Sequence, residues 1–466
     1  MNKIKLTLLA LSMLSLSIIG LYGLRISRES LNTFNSVSPA AKSTTLLPVS
    51  RLQPEVLTKL LDNQDINSAI IHVEQGWKQQ YDEYAQGKLP SNRMIEVKEI
   101  SRILEQIHQQ NGTKSALIYA VPTPKHLELI LVTPGKSPIH QRITKAKRDV
   151  VVSLVSKFRK DIVNPNSQRS DYLSSGKQVY DLLISPLESE LQAQGINNLI
   201  FCLGGGLRTV PLAAISDGKQ FLVEKYSLGI IPAFNLLDLQ PANITQTQVL
   251  AMGASEFKNK EPLPAVPLEL SSITSDKWQG KSLLNQEFTL KNLKKQRALY
   301  PFGIVHLATH AEFSPGSVQQ SYIQFWDAQV RLDEIKSLGL DKPLVKLLVL
   351  SACRTALGDA QAELGFAGFA VMSRAQAVIA SLWSVDDGGT LALMTHFYQQ
   401  LKANPMKAEA LRQTQIAMLK QQVSLQNNPS IRRNNSLPAE VVANLDNREL
   451  SHPYYWAGFT LIGNPW

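Results

Sequence analysis

The apolar positions of this chain change rhythm along its length. Between Asp65 and Asn111 they recur with a helical period. Ile66, Ile70, Val73 and Trp77 fall near one face of "INSAIIHVEQGWKQQYDEYAQG", and Ile95, Ile100, Ile103, Leu104 and Ile107 fall together in "MIEVKEISRILEQIHQQNG". Gly87 and Pro90 end the first helix, and Asn111–Gly112 ends the second. Beyond them the apolar residues gather into short continuous runs. "ALIYAV" and "LELILV" predict a hairpin around "PTPKH", and helical segments follow at 144–162 and 175–194. "NNLIFCL" then reads as a strand ending at Gly204–Gly206, followed after "RTVPLAAI" by "FLVEKYSLGIIPA" and the strand "TQVLAMG".

After the proline-rich "NKEPLPAVP" the alternation is regular. The pattern predicts helix 286–299, strand 302–308, a helix in "RLDEIKSLGL", strand 344–350, helix 362–375, strand 377–383, helix 388–403 and a closing strand in "YYWAGFTLIG". Continuous Val/Ile/Leu strands alternating with helices imply an α/β fold, a mostly parallel sheet covered on both faces. Two polar stretches interrupt this picture. Residues 25–64, rich in Ser, Asn, Thr and Pro, read as a flexible tether, and 425–453 as a mobile surface loop.

The first thirty residues have a different character. Lys3 and Lys5 precede a mostly apolar run over 6–24, long enough as a helix to cross a hydrocarbon core about 30 Å thick. No good small-x-small site follows it, so it reads as an uncleaved membrane anchor rather than a signal peptide, whose cleavage would make the protein secreted. Arg25 and Arg28 nearly balance Lys3, Lys5 and the amino group. The expectation is a membrane-anchored protein with its body outside the cytoplasm.

Composition adds limits. With 466 residues, 44% hydrophobic and 18% charged, the chain can build a large core. Its formal charge of +10 comes without zinc-finger spacing, an aromatic RNP strand or a long basic block, so nucleic acid is not an expected partner. Two cysteines, Cys202 and Cys353, are too few for a disulfide framework, and Cys202 reads as a buried small hydrophobe.

In an open parallel sheet, functional groups collect beyond the carboxyl ends of the strands. Strand 302–308 runs out into Thr309–His310, and strand 344–350 into Ser351–Ala352–Cys353. A right-handed helical crossover between them brings both ends to one rim. An imidazole beside a thiol can generate the thiolate nucleophile of covalent catalysis, although a core cysteine and an unrelated histidine explain the pattern equally well. Asp386 and Asp387 follow strand 377–383 on the same rim. Asp387 suits the N-cap of helix 388–403, while Asp386 is a candidate for lining a substrate pocket. Arg354 and Glu363 are expected to face solvent. His306, four residues before His310, reads as a partly buried strand residue, with no expected metal site. Gly204–Gly206 lacks the Lys-Ser/Thr of a phosphate-binding loop and reads as a tight turn.

"VHLATHAEF" and "LVLSACRTALG", in this order, resemble the bacterial CHAT family of caspase-like proteins. "LIFCLGGGLRTVPLAAISDGKQFLVEKYSLGIIP", "GFAGFAVMSRAQAVIASLWSVDDGGTLALMTHFYQQL", "EALRQTQIAML" and "HPYYWAGFTLIGNPW" resemble further blocks of that family, so the likeness spans Ser115 to Trp466. It implies two fused caspase-like halves, 113–250 and 251–466, which follow the anchor (1–24), tether (25–64) and helical region (65–112) that the residue pattern predicts. It also implies a cysteine peptidase related to separase, gingipain and caspase, with His310 as base and Cys353 as nucleophile. The backbone N–H groups of Ala311 and Cys353 would form the oxyanion hole. The implied partners are a protein or peptide substrate and a regulatory protein, with no cofactor. Family members usually carry Gly where this chain has Ala311. If that turn needs φ > 0, alanine strains it, and a catalytically impaired interaction module becomes the alternative. Acyl transfer to an acceptor other than water by the same dyad is a third reading.

Overall fold

The computed structural model describes residues 52–87, 89, 96–238, 243–274, 278–355, 359–423 and 449–466. The expected anchor at 6–24, the tether as far as residue 51 and most of the 425–453 loop lie outside the described residues. Among the described residues no helix is long and apolar enough to cross a membrane.

The first described elements are α1 (Pro54–Asp62), α2 (Ile66–Tyr84) and α3 (Val97–Asn111). Helix α1 corrects the tether expectation over 54–62. Pro sits in its first turn, and Leu57 and Leu61, one turn apart, are both buried. Asp65 caps α2 by accepting from the Ser68 N–H at 3.0 Å. Its face of Ala69, Ile70, Val73 and Trp77 is buried, as the periodicity requires. The same face carries a buried carboxylate. Glu74 accepts from the N–H groups of Phe234 and Asn235, the Asn235 side chain and the Tyr119 hydroxyl, and these four donors tie α2 to the sheet. Burial still pushes the Glu74 carboxyl up from its ordinary value. Helix α3 stops at Gly112, whose φ of 75° suits glycine.

Strands β1 (Ser115–Pro122), β2 (Leu127–Val132) and β3 (Ile139–Ile143) form an antiparallel meander. Helices α4 (Arg148–Val163), α5 (Arg169–Leu183) and α6 (Ser185–Ala193) lead to β4 (Asn198–Leu203), α7 (Leu222–Lys225) and β5 (Ser227–Ile231). Next come β6 (Val249–Gly253), α8 (Val266–Thr274), β7 (Gly280–Leu284), α9 (Leu290–Leu299), β8 (Ile304–Phe313) and the short β9 (Tyr322–Gln324) and β10 (Gln329–Arg331). The segment Leu332–Leu338, read as a helix, is a 3₁₀ helix. The last elements are β11 (Leu347–Thr355), α10 (Ala360–Ser373), β12 (Ala377–Ser381), α11 (Asp387–Ala403), α12 (Lys407–Leu419), a turn of helix at Pro453–Trp456, and β13 (Phe459–Gly463).

All thirteen strands of the described residues join one sheet. Its main path is β10-β9-β8-β11-β12-β13-β5-β4-β1-β2-β3, and β6, carrying β7, pairs with the lower part of β8. The ladders among β7, β6, β8, β11 and β12 are parallel, as are β13–β5, β5–β4 and β4–β1. Among the described strands the antiparallel ladders are β12–β13, the meander and the β8–β9–β10 ribbon. The central strands are buried on both faces, which is why they read as unbroken apolar runs. Strand β13 pairs with β5 through Ile462 and Ile230, so no seam in the sheet separates the residues before 250 from those after.

Candidate active site

Strands β8 and β11 lie side by side and parallel. From Leu347 opposite Ile304 to Leu350 opposite Leu307 the register is regular. It then shifts, so that Ala352 faces His310 and Cys353 faces Ala311. Two steps along β11 match three along β8, and the extra residue in β8 makes a bulge just below His310. Such bulges re-aim the side chains that follow. The backbones of His310 and Cys353 therefore sit diagonally across one ladder, one residue apart in register.

Both strands run farther than their apolar runs predict. The ladder continues to Thr355 opposite Phe313 because β9 pairs with the upper half of β8, Ala311 with Ile323 and Glu312 with Tyr322. His310 and Cys353 are thus within the ladder rather than just beyond its end. Ala311, 3% exposed, lies between β11 and β9 and is not among the residues with positive φ. The expected strain at a left-handed alanine is absent. In a strand the N–H lies in the plane of the sheet, toward a neighbouring strand. An oxyanion hole built from Ala311 and Cys353 therefore requires this upper ladder to open.

The His310 ring is held by the segment between β6 and α8. Gly253 ends β6 so close to β8 that a Cβ there would lie 2.5 Å from the Ala308 carbonyl oxygen. That approach, and the Ala254 N–H donating to the same carbonyl, start the segment along the top of β8. Phe257 meets the His310 ring edge-on, with centroids 4.7 Å apart. The Glu261 carbonyl lies 2.8 Å from His310 Nε2. A carbonyl only accepts, so Nε2 carries the proton and Nδ1 is left as the basic nitrogen. Burial lowers the His310 pKa below its ordinary value, and Lys260 adds to this. The Glu261 contact acts in the opposite direction. The result is a neutral, oriented imidazole at neutral pH, the state a general base requires.

The helix cap expected of Asp387 falls to its neighbour. Asp386 is the N-cap of α11, accepting from the Gly389 N–H at 3.0 Å. Asp387 instead accepts from the Ala265 N–H at 2.6 Å, fastening the far end of the segment that carries Phe257 and Glu261. Burial, with repulsion from Glu269 and Asp386, raises the Asp387 carboxyl to about 6. His306 is fully buried rather than partly so. Its Nε2 lies 3.0 Å from Glu269 and its Nδ1 3.2 Å from the Tyr398 hydroxyl. Glu363 does not face solvent either. It is 3% exposed and accepts from the Gly206 N–H at 2.8 Å. The side chains of Cys353 and Arg354 lie outside the described residues. Cys202 is free and fully buried, which pushes its thiol well above the ordinary range and makes it inert.

Sequence reasoning missed Glu261 and Phe257. Glu261 acts through its carbonyl, which every residue possesses, so its side chain carried no signal. Phe257 stood between the strand "TQVLAMG" and the proline-rich connection, in residues whose pattern predicted no element.

The sequence profile of the CHAT domain matches residues 173–464, and the chain belongs to the CHAT domain family. Tetratricopeptide repeat protein 28 of Mus musculus is 24% identical over 364 residues, which cover 64% of this chain and 14% of the length of that relative. The separase–securin complex of Saccharomyces cerevisiae aligns with 86% of this chain and 34% of its own, at 11% identity and a TM-score of 0.48. The RgpB pro- and mature domains of Porphyromonas gingivalis align with 75% of this chain and 78% of theirs, at 10% identity and a TM-score of 0.37.

Proposed function

We propose that this CHAT domain is a cysteine endopeptidase acting on a protein partner through His310 and Cys353. The observation that carries the reading is the β8–β11 register, which sets Cys353 opposite the residue after His310 while the Glu261 carbonyl fixes the imidazole tautomer. His310 Nδ1 takes the Cys353 proton, and the thiolate attacks the scissile carbonyl carbon. The tetrahedral anion collapses as the imidazolium gives its proton to the leaving amine, forming a thioester. Water, deprotonated by the same imidazole, then releases the acid and restores the thiol. Donors for the anion come from the Ala311 and Cys353 N–H groups once the upper ladder opens, and each is worth roughly 3 kcal/mol. Asp386, on the same rim, lines the substrate approach in addition to capping α11. The body is tethered to a membrane through 6–24 and lies outside the cytoplasm. The halves 113–250 and 251–466 are two caspase-like lobes, of which the second holds the dyad.

The test is a search for new protein N-termini after incubating the full chain with a denatured protein mixture. Wild type should generate termini that are absent with Cys353→Ala and with His310→Ala. Identical termini from all three proteins would refute the dyad. A second reading, an interaction module without turnover, is favoured by the continuation of the β8–β11 ladder past both residues. It predicts no new termini and no alkylation of Cys353 by a thiol probe. Membrane tethering is tested by alkaline extraction of cell membranes, where release of the full chain into the supernatant would overturn the anchor.

A further inference from the structure

Helix α9 turns an unbalanced basic face to solvent. Its Leu293, Gln296 and Arg297 are buried, while Lys291, Lys294, Lys295, Ala298 and Leu299 are exposed. At about 100° per residue the exposed set spans an arc of about 140°. Within it Lys291, Lys295 and Leu299 form a row, each one turn from the next.

Three observations set this face apart from an ordinary solvated one. First, its charges have no local partners. Lys157 of α4 pairs with Asp161, and Lys177 of α5 with Asp181, each one turn on. In α9 no acidic residue occurs from 288 to 311. Among the described residues Lys291, Lys294 and Lys295 make no ion pair, not even with Glu287 just before the helix. The macrodipole favours a cation in the last turn, such as Arg297, but opposes Lys291 at the second position. Lys291 and Lys295 also repel one another.

Second, Arg297 widens the face. Its buried guanidinium donates to the Gly339 carbonyl at 3.0 and 2.8 Å, and to that of Pro343. This fixes the segment 336–343 beside α9 and brings its exposed Lys336 and Lys342 alongside. The acids of that neighbourhood are engaged, Glu334 with Arg331 and Asp341 with Arg374.

Third, the row ends in apolar side chains. Leu299 is 60% exposed and Tyr300 48%, two of the four exposed large hydrophobic residues among the described residues.

We propose that this face docks on an anionic lipid surface. The ammonium groups of Lys291, Lys294, Lys295, Lys336 and Lys342 reach the phosphates. Their stems, with Leu299 and Tyr300, enter the headgroup layer. Nucleic acid is a poorer match, because its phosphates favour the arginine fork and its bases favour stacked aromatics, whereas the cations of this face are all lysines. An acidic peptide is also a poorer match, because one convex helix face gives it no groove. The contact is independent of the dyad and of residues 6–24.

Acetylation of lysines by a water-soluble N-hydroxysuccinimide ester, read by mass spectrometry on the full chain, tests this. The probes are vesicles of phosphatidylcholine alone and vesicles containing about one third phosphatidylglycerol. Insertion of residues 6–24 would occur in both, so the difference between them reports on the face. With the anionic vesicles, acetylation of the five lysines should slow about fivefold or more, and about 1 M salt should restore it. Lys98 and Lys145, exposed elsewhere, should not change. The triple variant Lys291→Gln, Lys294→Gln, Lys295→Gln should remove the protection of Lys336 and Lys342. The double variant Leu299→Ser, Tyr300→Ser should weaken it at all five. Equal acetylation with both vesicles overturns the proposal, as does equal protection of Lys98 and Lys145. Protection of Lys336 and Lys342 that survives the triple variant also overturns it. Stronger protection by a DNA duplex or by polyglutamate than by the anionic vesicles would assign the face to that polyanion instead.

Discussion

Asp387→Asn should stabilise the protein at neutral pH. The Asp387 carboxylate accepts one backbone N–H, that of Ala265, and stands near the Glu269 and Asp386 carboxylates. Its pKa of about 6 exceeds the ordinary 3.8, so folding disfavours its charged form. For a carboxyl raised in the folded state, the linked stability is fully present below about pH 4. It is lost as pH rises through about 6. At 1.36 kcal/mol per pH unit the loss is at most about 3 kcal/mol, and solvent screening of this incompletely buried group reduces it to about 1–2 kcal/mol. Asparagine keeps an acceptor for Ala265 and removes the charge. The variant should therefore melt roughly 1–2 °C higher than wild type at pH 7.5, and the gap should close toward pH 4. Because the tie to Ala265 survives, His310 should keep its contacts with Phe257 and Glu261. Thermal unfolding of the full chain at a series of pH values measures this. A variant less stable than wild type at pH 7.5, or a difference constant between pH 7.5 and 4, would refute the reasoning.

Further expectations rest on single contacts. Phe257→Ala should let water reach the imidazole and raise the His310 pKa toward 6.5, read by NMR titration; an unchanged or lower value would show that burial by Phe257 is not the cause. Ala311→Gly should not accelerate any cleavage and should cost stability by about 0.5–1 kcal/mol, since Ala311 lies in a strand without positive φ; a clear gain in rate would restore the strained-turn account. Glu363→Ala should cost about 1–3 kcal/mol in urea unfolding, because it leaves the Gly206 N–H without its acceptor; no measurable loss would mean that another group satisfies that N–H.

The central strands and the helical faces of α2 and α3 were legible because burial imposes its own rhythm on the sequence. A strand covered on both faces must be apolar throughout, and a helix covered on one side must be apolar every three or four residues. The same logic placed His310 and Cys353 on neighbouring parallel strands, although β9 and β10 intervene along the chain. Elements stabilised by distant partners left weaker traces. β3 is half-exposed along its length, so its residues did not have to be apolar, and its Arg142 is matched to Asp62 and Glu128 across the fold. α1 hid in a polar stretch because two leucines suffice to dock it.

Tertiary structure alone decided how far β8 and β11 extend, because pairing with β9 supplies hydrogen bonds that no local pattern encodes. It decided which aspartate caps α11, since both can accept from a helix N-terminus and only the approach of Ala265 separates them. It decided that Glu363 is buried, because the Gly206 N–H and two guanidiniums come from elements some 150 to 200 residues earlier in the chain. Sequence by itself determined which side chains had to leave water. Which polar groups went with them depended on partners brought together only by the folded sheet, where an unmatched donor or charge costs more than the apolar contact around it can return.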